Sequence, residues 1–78
     1  MAKASVWNVG WVAGNPKMCT KVYIDPDGPW NRSRAVIIGQ EISERSPAWR
    51  VWVEHEKTGK RIFESDAEKD WKATQAAE

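Results

Sequence analysis

One histidine and one cysteine are the side chains of this chain best suited to nucleophilic or acid–base chemistry. An activated nucleophile needs a positioned base beside it. A pair formed by Cys19 and His55 is conceivable, although a buried apolar role for Cys19 and a solvated strand position for His55 fit the sequence better. We therefore predict no catalytic residue, and we expect that the protein is not an enzyme.

Metal and cofactor sites find equally little support. A zinc site prefers three or four nitrogen or sulfur ligands, more than one histidine and one cysteine supply. Residues 25–28, Asp-Pro-Asp-Gly, resemble the start of an EF-hand loop, but Val36 stands at the twelfth position, where a glutamate is required. No glycine-rich phosphate loop is present. The sequence therefore predicts no metal and no cofactor, and it makes residues 25–28 a turn.

Binding chemistry is far better represented, because the 78 residues include six tryptophans. Each tryptophan covers roughly 150–250 Å² of surface. A chain of this length has a thin core, since it buries only about 60% of its unfolded surface. The tryptophans are therefore expected to fill the core and also to mark a contact surface.

Tryptophan and arginine together are typical of protein interfaces, where each gives a large contact area. Two stretches have this composition, and we expect Trp30 to lie exposed on a loop and Trp52 on the polar face of a hairpin. In an alternative interpretation, a C-terminal helix covers Trp52. The predicted protein-binding residues are Trp30, Arg32, Arg34, Arg50 and Trp52.

Nucleic-acid binding is the second hypothesis. Lys57, Lys60 and Arg61 form a basic hairpin tip, and sheet aromatics beside basic residues can stack on bases. Against this interpretation, 12 basic and 11 acidic residues give a net charge of only +1. A dedicated nucleic-acid binder usually carries a clear basic excess.

Cysteine usage and hydropathy bear on location and partners. A lone cysteine allows no intrachain disulfide, so a reducing cytoplasm is the expected compartment. No apolar stretch has the length of a signal peptide or a membrane span, so no membrane association is expected. An edge strand that pairs with its own copy would give a homodimer.

Alternation of apolar side chains predicts the elements that position these residues. The first strand spans residues 5–13 and the second spans residues 19–24. The apolar run within residues 34–42 predicts a third, central strand.

The strongest local pattern is a β-hairpin over residues 48–64, with Gly59 in a left-handed turn position. Its register places Val53 opposite Phe63 and Glu56 opposite Lys60. Residues 65–68, Ser-Asp-Ala-Glu, form a capping box that begins a C-terminal helix.

These elements predict one small domain over residues 1–78 in the α+β class. We expect an antiparallel β-sheet of four to five strands, with one C-terminal helix packed on one face. A small SH3-like barrel with a terminal helix is the alternative.

In size and composition the chain is similar in kind to small accessory proteins of phages and plasmids. These include inhibitors that occupy a surface of a host defence complex, such as those that block CRISPR effectors. That similarity implies a non-enzymatic module in the cytoplasm that binds another protein or protein complex. Nucleic-acid binding through the basic hairpin tip remains the alternative function.

Overall fold

A computed structural model of the chain describes residues 5–13 and 21–77. Cys19 lies outside these ranges, and so does the first part of the predicted second strand. In chain order the elements are β1 (Trp7–Val12), β2 (Tyr23–Ile24), α1 (Arg32–Arg45), β3 (Arg50–His55), β4 (Arg61–Glu64) and α2 (Asp66–Ala77).

The four strands form one open antiparallel sheet in the order β2-β1-β3-β4. This confirms the α+β class and the C-terminal helix, and the SH3-like alternative is not needed. In the central pair, Val9 lies opposite Val53 and Gly10 lies opposite Trp52. Opposite residues share a face of the sheet, so the two valines lie on one side and Trp52 on the other.

The prediction of a strand over residues 34–42 is wrong, because this segment lies within helix α1. β-branched residues favour strands, and three consecutive ones misled the interpretation. The helical period is nevertheless present, since Ala35, Ile38, Gly39 and Ile42 follow the i, i+3, i+4, i+7 spacing of one helix face. Packing of this face against the sheet decides the structure.

Local contacts fix where α1 begins and how closely it packs. The Asn31 side chain caps the helix by accepting a hydrogen bond from the Arg34 N–H at 2.9 Å. Gly39 is buried against the sheet, where an added Cβ would lie 3.1 Å from both Phe63 and Val53. A glycine therefore lets the helix backbone approach the sheet.

The core lies between α1 and the sheet. Val9, Ala35 and Val53 are fully buried at its centre. The partly buried residues packed around them are Trp7, Trp11, Trp30, Ile38, Ile42, Ile62 and Phe63. Three of the six tryptophans thus contribute to this core, in agreement with the expectation that tryptophans fill it.

The hairpin formed by β3 and β4 confirms two sequence-based predictions. Val53 lies opposite Phe63, and Gly59 adopts a φ of 73° in the turn. Only glycine takes this left-handed conformation at little cost. The pattern of alternation and the turn glycine were therefore sufficient to set this part of the fold.

A shift in register after Val53 changes the end of the hairpin. Glu54 lies opposite Arg61, and the His55 N–H donates to the Lys60 carbonyl at 2.8 Å. The predicted pairing of Glu56 with Lys60 is therefore wrong. A β-bulge adds a residue to one strand and re-aims the side chains beyond it, and here it directs Arg61 toward α2.

Helix α2 begins at the predicted capping box. The Ser65 side chain accepts a hydrogen bond from the Glu68 N–H at 3.3 Å, as an N-cap residue does. The Glu68 carboxylate binds Arg50 and Arg61, rather than the backbone of the cap as in a capping box. Because Glu68 binds these two arginines, which lie on β3 and β4, it ties α2 to the sheet.

Candidate functional site

Trp52 is covered rather than exposed, so the prediction that it forms an exposed anchor is wrong. Its side chain is only 4% exposed. The ring lies against β1, where a Cβ on Gly10 would stand 2.6 Å from the Trp52 Nε1. The alternative interpretation, in which the C-terminal helix covers this residue, agrees with the structure.

Trp52 and four residues near it form what we call the closed cluster: Arg50, Trp52, Arg61, Glu68 and Trp71. Glu68 is 1% exposed and holds the centre of the cluster. Arg50 Nε donates to Glu68 Oε1 at 2.5 Å, and an Arg61 terminal nitrogen donates to Glu68 Oε2 at 2.5 Å. A buried carboxylate is costly unless it is paired and hydrogen-bonded, and both of its oxygens are paired here.

The two arginines of the closed cluster also stack on its tryptophans. The Arg50 guanidinium lies 3.5 Å from the Trp71 ring centre and 5.8 Å from the Trp52 ring centre. Arg61 lies 4.8 Å from the Trp52 ring centre. Such cation–π contacts add to the ion pairs where water is excluded. Arg50, which sequence reasoning assigned to a protein contact, is therefore used inside the fold.

Ser65 positions Glu68 within this cluster. Its hydroxyl oxygen accepts hydrogen bonds from the N–H groups of Val51 (3.0 Å) and Glu68 (3.3 Å), and its O–H donates to the Trp49 carbonyl at 3.3 Å. Ser65 is itself buried. One hydroxyl thus joins β3 to the first turn of α2 and fixes where the carboxylate points.

The ion network extends from the closed cluster to the surface through Glu64. Burial alone would raise the pKa of Glu64, but hydrogen bonds from Arg61 and Lys72 outweigh burial and lower this pKa. Burial alone would lower the pKa of Arg61, yet its bonds to Glu64, Glu68 and Glu54 raise it. Both groups are therefore held in their charged forms.

A second group of tryptophan and arginine side chains lies at the start of α1. We call Trp30, Arg32, Arg34 and Ile37 the α1 surface. The Arg34 guanidinium lies 5.9 Å from the Trp30 ring centre. Arg32, Arg34 and Ile37 are exposed, and among the described residues neither arginine forms an ion pair.

Trp30 is partly buried rather than fully exposed as expected. Its backbone pairs with Trp7, through N–H to carbonyl distances of 2.8 and 3.0 Å. Its indole N–H donates to Asp25 Oδ2 at 3.1 Å. Trp30 thus anchors its loop to the sheet and contacts Arg34 from a fixed position.

The basic hairpin tip is divided by the structure. Lys57 and Lys60 are exposed in the turn. Arg61, the third residue of the predicted patch, is bound by the carboxylates of Glu54, Glu64 and Glu68. The structure therefore does not bring Lys57, Lys60 and Arg61 together as one free basic patch.

His55 has a structural role at the same turn. Its Nδ1 accepts hydrogen bonds from the Lys57 N–H at 3.1 Å and the Thr58 N–H at 3.3 Å. Its ring meets the Trp7 ring edge to face, with 5.1 Å between the ring centres.

Sequence reasoning missed two features of the surface. Ile37 is 46% exposed, and its place on a helix follows from the period that was overlooked in α1. Val22, Tyr23 and Ile24 are exposed in succession around β2. The alternation that identified this strand carried no information on which of its faces would be covered.

A cavity of about 360 Å³ opens along β4, lined by Arg61, Ile62, Phe63, Glu64 and Lys69. These side chains supply charge and apolar surface, but no nucleophile with an adjacent base. Within residues 5–13 and 21–77, no group of three or more histidine, cysteine or acidic residues is placed to hold a metal ion. Neither α1 nor α2 is long and apolar enough to cross a membrane.

Comparison with known proteins adds no relative to this picture. The chain matches no protein-family model, no curated protein and no solved structure. Function must therefore be argued from the two tryptophan–arginine groups themselves.

Proposed function

We propose that the protein is a non-enzymatic binding module that contacts another protein through the α1 surface. The observation that carries this proposal is Arg34, which is exposed in the first turn of α1 with its guanidinium 5.9 Å from the Trp30 ring centre, while Arg32 and Ile37 are also exposed on this helix. Interface anchors combine these residue types, because large apolar contacts exclude water around a charged contact.

The position of Arg32 and Arg34 supports a binding role. A helix N-terminus carries a partial positive charge, so each cation there costs typically 0.3–1 kcal/mol. The first turn of α1 contains no acidic residue that would offset this cost. Residues that break a local rule without a visible compensating contact are expected at functional sites.

Charge favours a protein partner over a nucleic acid. Helix α1 itself carries three arginines and two glutamates, so it presents no continuous basic stripe. Arg61, which would have enlarged the lysine patch at the hairpin tip, is already bound by three carboxylates. Phosphate-driven binding needs several free cations along one track. A protein patch with carboxylates beside an apolar residue is the better complement of the α1 surface.

The mode of action that we propose is occupancy of a surface on a larger complex. This is how small inhibitors of phage and plasmid type act, and it requires a rigid contact surface but no catalytic group. The lone cysteine suits a reducing compartment, so we propose that the protein acts in the cytoplasm.

Affinity capture with matched variants tests this function. Wild-type protein, the double variant Arg32→Ala/Arg34→Ala and the control Lys57→Ala/Lys60→Ala would each be used as bait in lysate of the native cells. Capture would be run at about 50 and 200 mM salt, a range over which phosphate-driven binding falls steeply. A nuclease-treated sample would accompany each condition.

We expect a protein that wild type and the lysine control both retain after nuclease treatment, and that the arginine variant loses. Circular dichroism would first establish that all three baits are folded. Loss of the captured material on nuclease treatment or in the lysine control would support nucleic-acid binding instead. Equal retention by the arginine variant would exclude the α1 surface as the contact.

A further inference from the structure

Strand β2 and the residue before it expose three large apolar side chains in a row. Val22 is 53% exposed, Tyr23 is 41% exposed and Ile24 is 46% exposed. β2 lies at the edge of the sheet, and among the described residues it pairs with β1 alone. We propose that β2 pairs antiparallel with β2 of a second copy of this chain, about a two-fold axis at Tyr23.

The backbone of this edge has the orientation that such pairing needs. The Asp25 N–H donates to the Val9 carbonyl at 2.9 Å, so the Asp25 backbone faces β1. Backbone groups alternate between the two sides of an antiparallel strand. The N–H and C=O groups of Tyr23 therefore also face β1, and those of Val22 and Ile24 face away from it.

Pairing about Tyr23 uses these outward groups. Val22 meets Ile24 of the second copy as a hydrogen-bonded pair, and the two-fold axis repeats this pair. Four backbone hydrogen bonds then join the two chains, with the two Tyr23 residues as the non-hydrogen-bonded pair between them. Side chains approach most closely at such a pair.

The sequence around the axis complements itself under this register. Residues 21–25 read Lys-Val-Tyr-Ile-Asp, with opposite charges at the two ends and apolar residues between them. Reversal places Lys21 opposite Asp25 of the second copy, a favourable cross-strand pair. It also places Val22 opposite Ile24, so both faces of the joined strands match.

The aromatic contacts of one copy would continue across the axis. Trp11 and Tyr23 are neighbours in the ladder, and their rings stack with 6.4 Å between centres at an angle of 15°. Tyr23 of the second copy would lie on the same face, which makes a row of four rings. The Lys21 ammonium, 5.1 Å from the Tyr23 ring centre, lies at the rim of this row.

The symmetric order of charged and apolar residues in 21–25 favours a second copy as the partner. Self-pairing closes with two-fold symmetry, because each copy then uses its own β2 edge. The inference does not rest on the proposed function, because residues 21–25 lie outside the α1 surface and only Asp25 contacts it, through the Trp30 indole. Since a short edge buries less than the roughly 1,200 Å² of a stable interface, we expect association in the micromolar range.

Sedimentation equilibrium from low to high micromolar concentration tests the dimer. We expect wild type to shift from monomer to dimer over this range. Ile24→Lys sets a charge against an apolar partner, so this variant is expected to remain monomeric. Ile37→Lys is the matched control, because Ile37 is also 46% exposed, and it should dimerise like wild type. A wild type that stays monomeric throughout, or equal effects of the two variants, would overturn the proposal.

Single-cysteine variants test the register. In a Cys19→Ser background, Tyr23→Cys would bring two thiols together across the axis, at a Cα separation of about 4.5 Å that permits a disulfide. Mild oxidation should link this variant, and should link Val22→Cys and Ile24→Cys far more slowly. Circular dichroism would confirm that each variant is folded. Faster linkage of either neighbour would reject the two-fold axis at Tyr23.

Discussion

The closed cluster and the α1 surface are built from the same residue types, and they differ in one component. Both bring arginine against tryptophan, at 3.5–5.8 Å in the closed cluster and 5.9 Å at the α1 surface. In the closed cluster, Glu68 supplies the opposing charge and α2 excludes water. Among the described residues, no carboxylate plays that part for Arg34. The Glu68 carboxylate thus distinguishes the arginine–tryptophan contacts of the closed cluster, which hold the fold together, from the Arg34–Trp30 contact, which remains available for binding.

Removal of the Glu68 carboxylate is expected to have the largest effect on stability. Glu68→Ala leaves Arg50 and Arg61 without their shared counter-charge, and losing one partner of a buried ion pair costs about 3–5 kcal/mol. The free energy of unfolding, from urea titration, should fall by about this amount.

Glu44→Ala is the matched control for this change, since Glu44 is an exposed glutamate on α1. Its removal breaks no ion pair among the described residues, so it should alter the unfolding free energy by less than about 0.5 kcal/mol. Equal effects of the two variants would show that Glu68 does not hold the cluster together.

A smaller loss is expected from Gly10→Ala. The added Cβ would stand 2.6 Å from the Trp52 Nε1, so the ring that Arg50 and Arg61 stack against must move. Overpacking of this kind costs typically 1–3 kcal/mol. Urea titration measures the loss, and unchanged stability would mean that the Trp52 ring is free to shift.

Sequence patterns were sufficient where local chemistry decides the structure. Gly59 and the alternation around Val53 set the hairpin, and Ser65 set the start of α2. Residues 34–42 were misassigned because a run of β-branched residues is typical of strands, whereas packing of a helical face on the sheet determines their conformation.

The candidate site was only partly predictable for a similar reason. Arg50 and Glu68 are 18 residues apart in the sequence, and nothing local indicates that they pair. The local sequence of Trp52 therefore predicts an exposed anchor, because it does not show that α2 packs on the same face of the sheet. Arg32 and Arg34 have no ion-pair partner among the described residues, and both side chains are exposed.

Stability measured in acid tests the role of Glu64, which lies at the edge of the closed cluster. Because the folded state lowers the pKa of Glu64, the stability from its ionised form is complete above the unfolded value, which is about 4.3. It is lost as the pH falls through the lower folded pKa. Glu64→Gln should therefore be less stable than wild type at pH 7, by about 1 kcal/mol or less.

The difference between wild type and Glu64→Gln should shrink as the pH is lowered through this range. Urea titration at a series of pH values measures it. A difference that stays constant or grows in acid would show that the ionised form of Glu64 does not stabilise the fold.

The smallest effect on stability is expected at the α1 surface. Arg34→Ala removes an exposed contact with Trp30 and also a cation from the unfavourable end of a helix, two changes that oppose each other. The unfolding free energy should therefore change by less than about 0.5 kcal/mol. A loss of the size expected for Glu68→Ala would make Arg34 structural and would remove the basis for a binding role.

Hydrogen exchange of the arginine side chains, followed by nuclear magnetic resonance, compares the two regions in one sample of wild-type protein. The Arg50 Nε–H is bound to a buried carboxylate, whereas Arg34 is exposed. We expect the Arg50 Nε–H to exchange with water at least about tenfold more slowly than the Arg34 Nε–H, which corresponds to roughly 1.4 kcal/mol of protection. Equal rates, or slower exchange at Arg34, would contradict the division between a closed cluster that holds the fold and an α1 surface that remains free to bind.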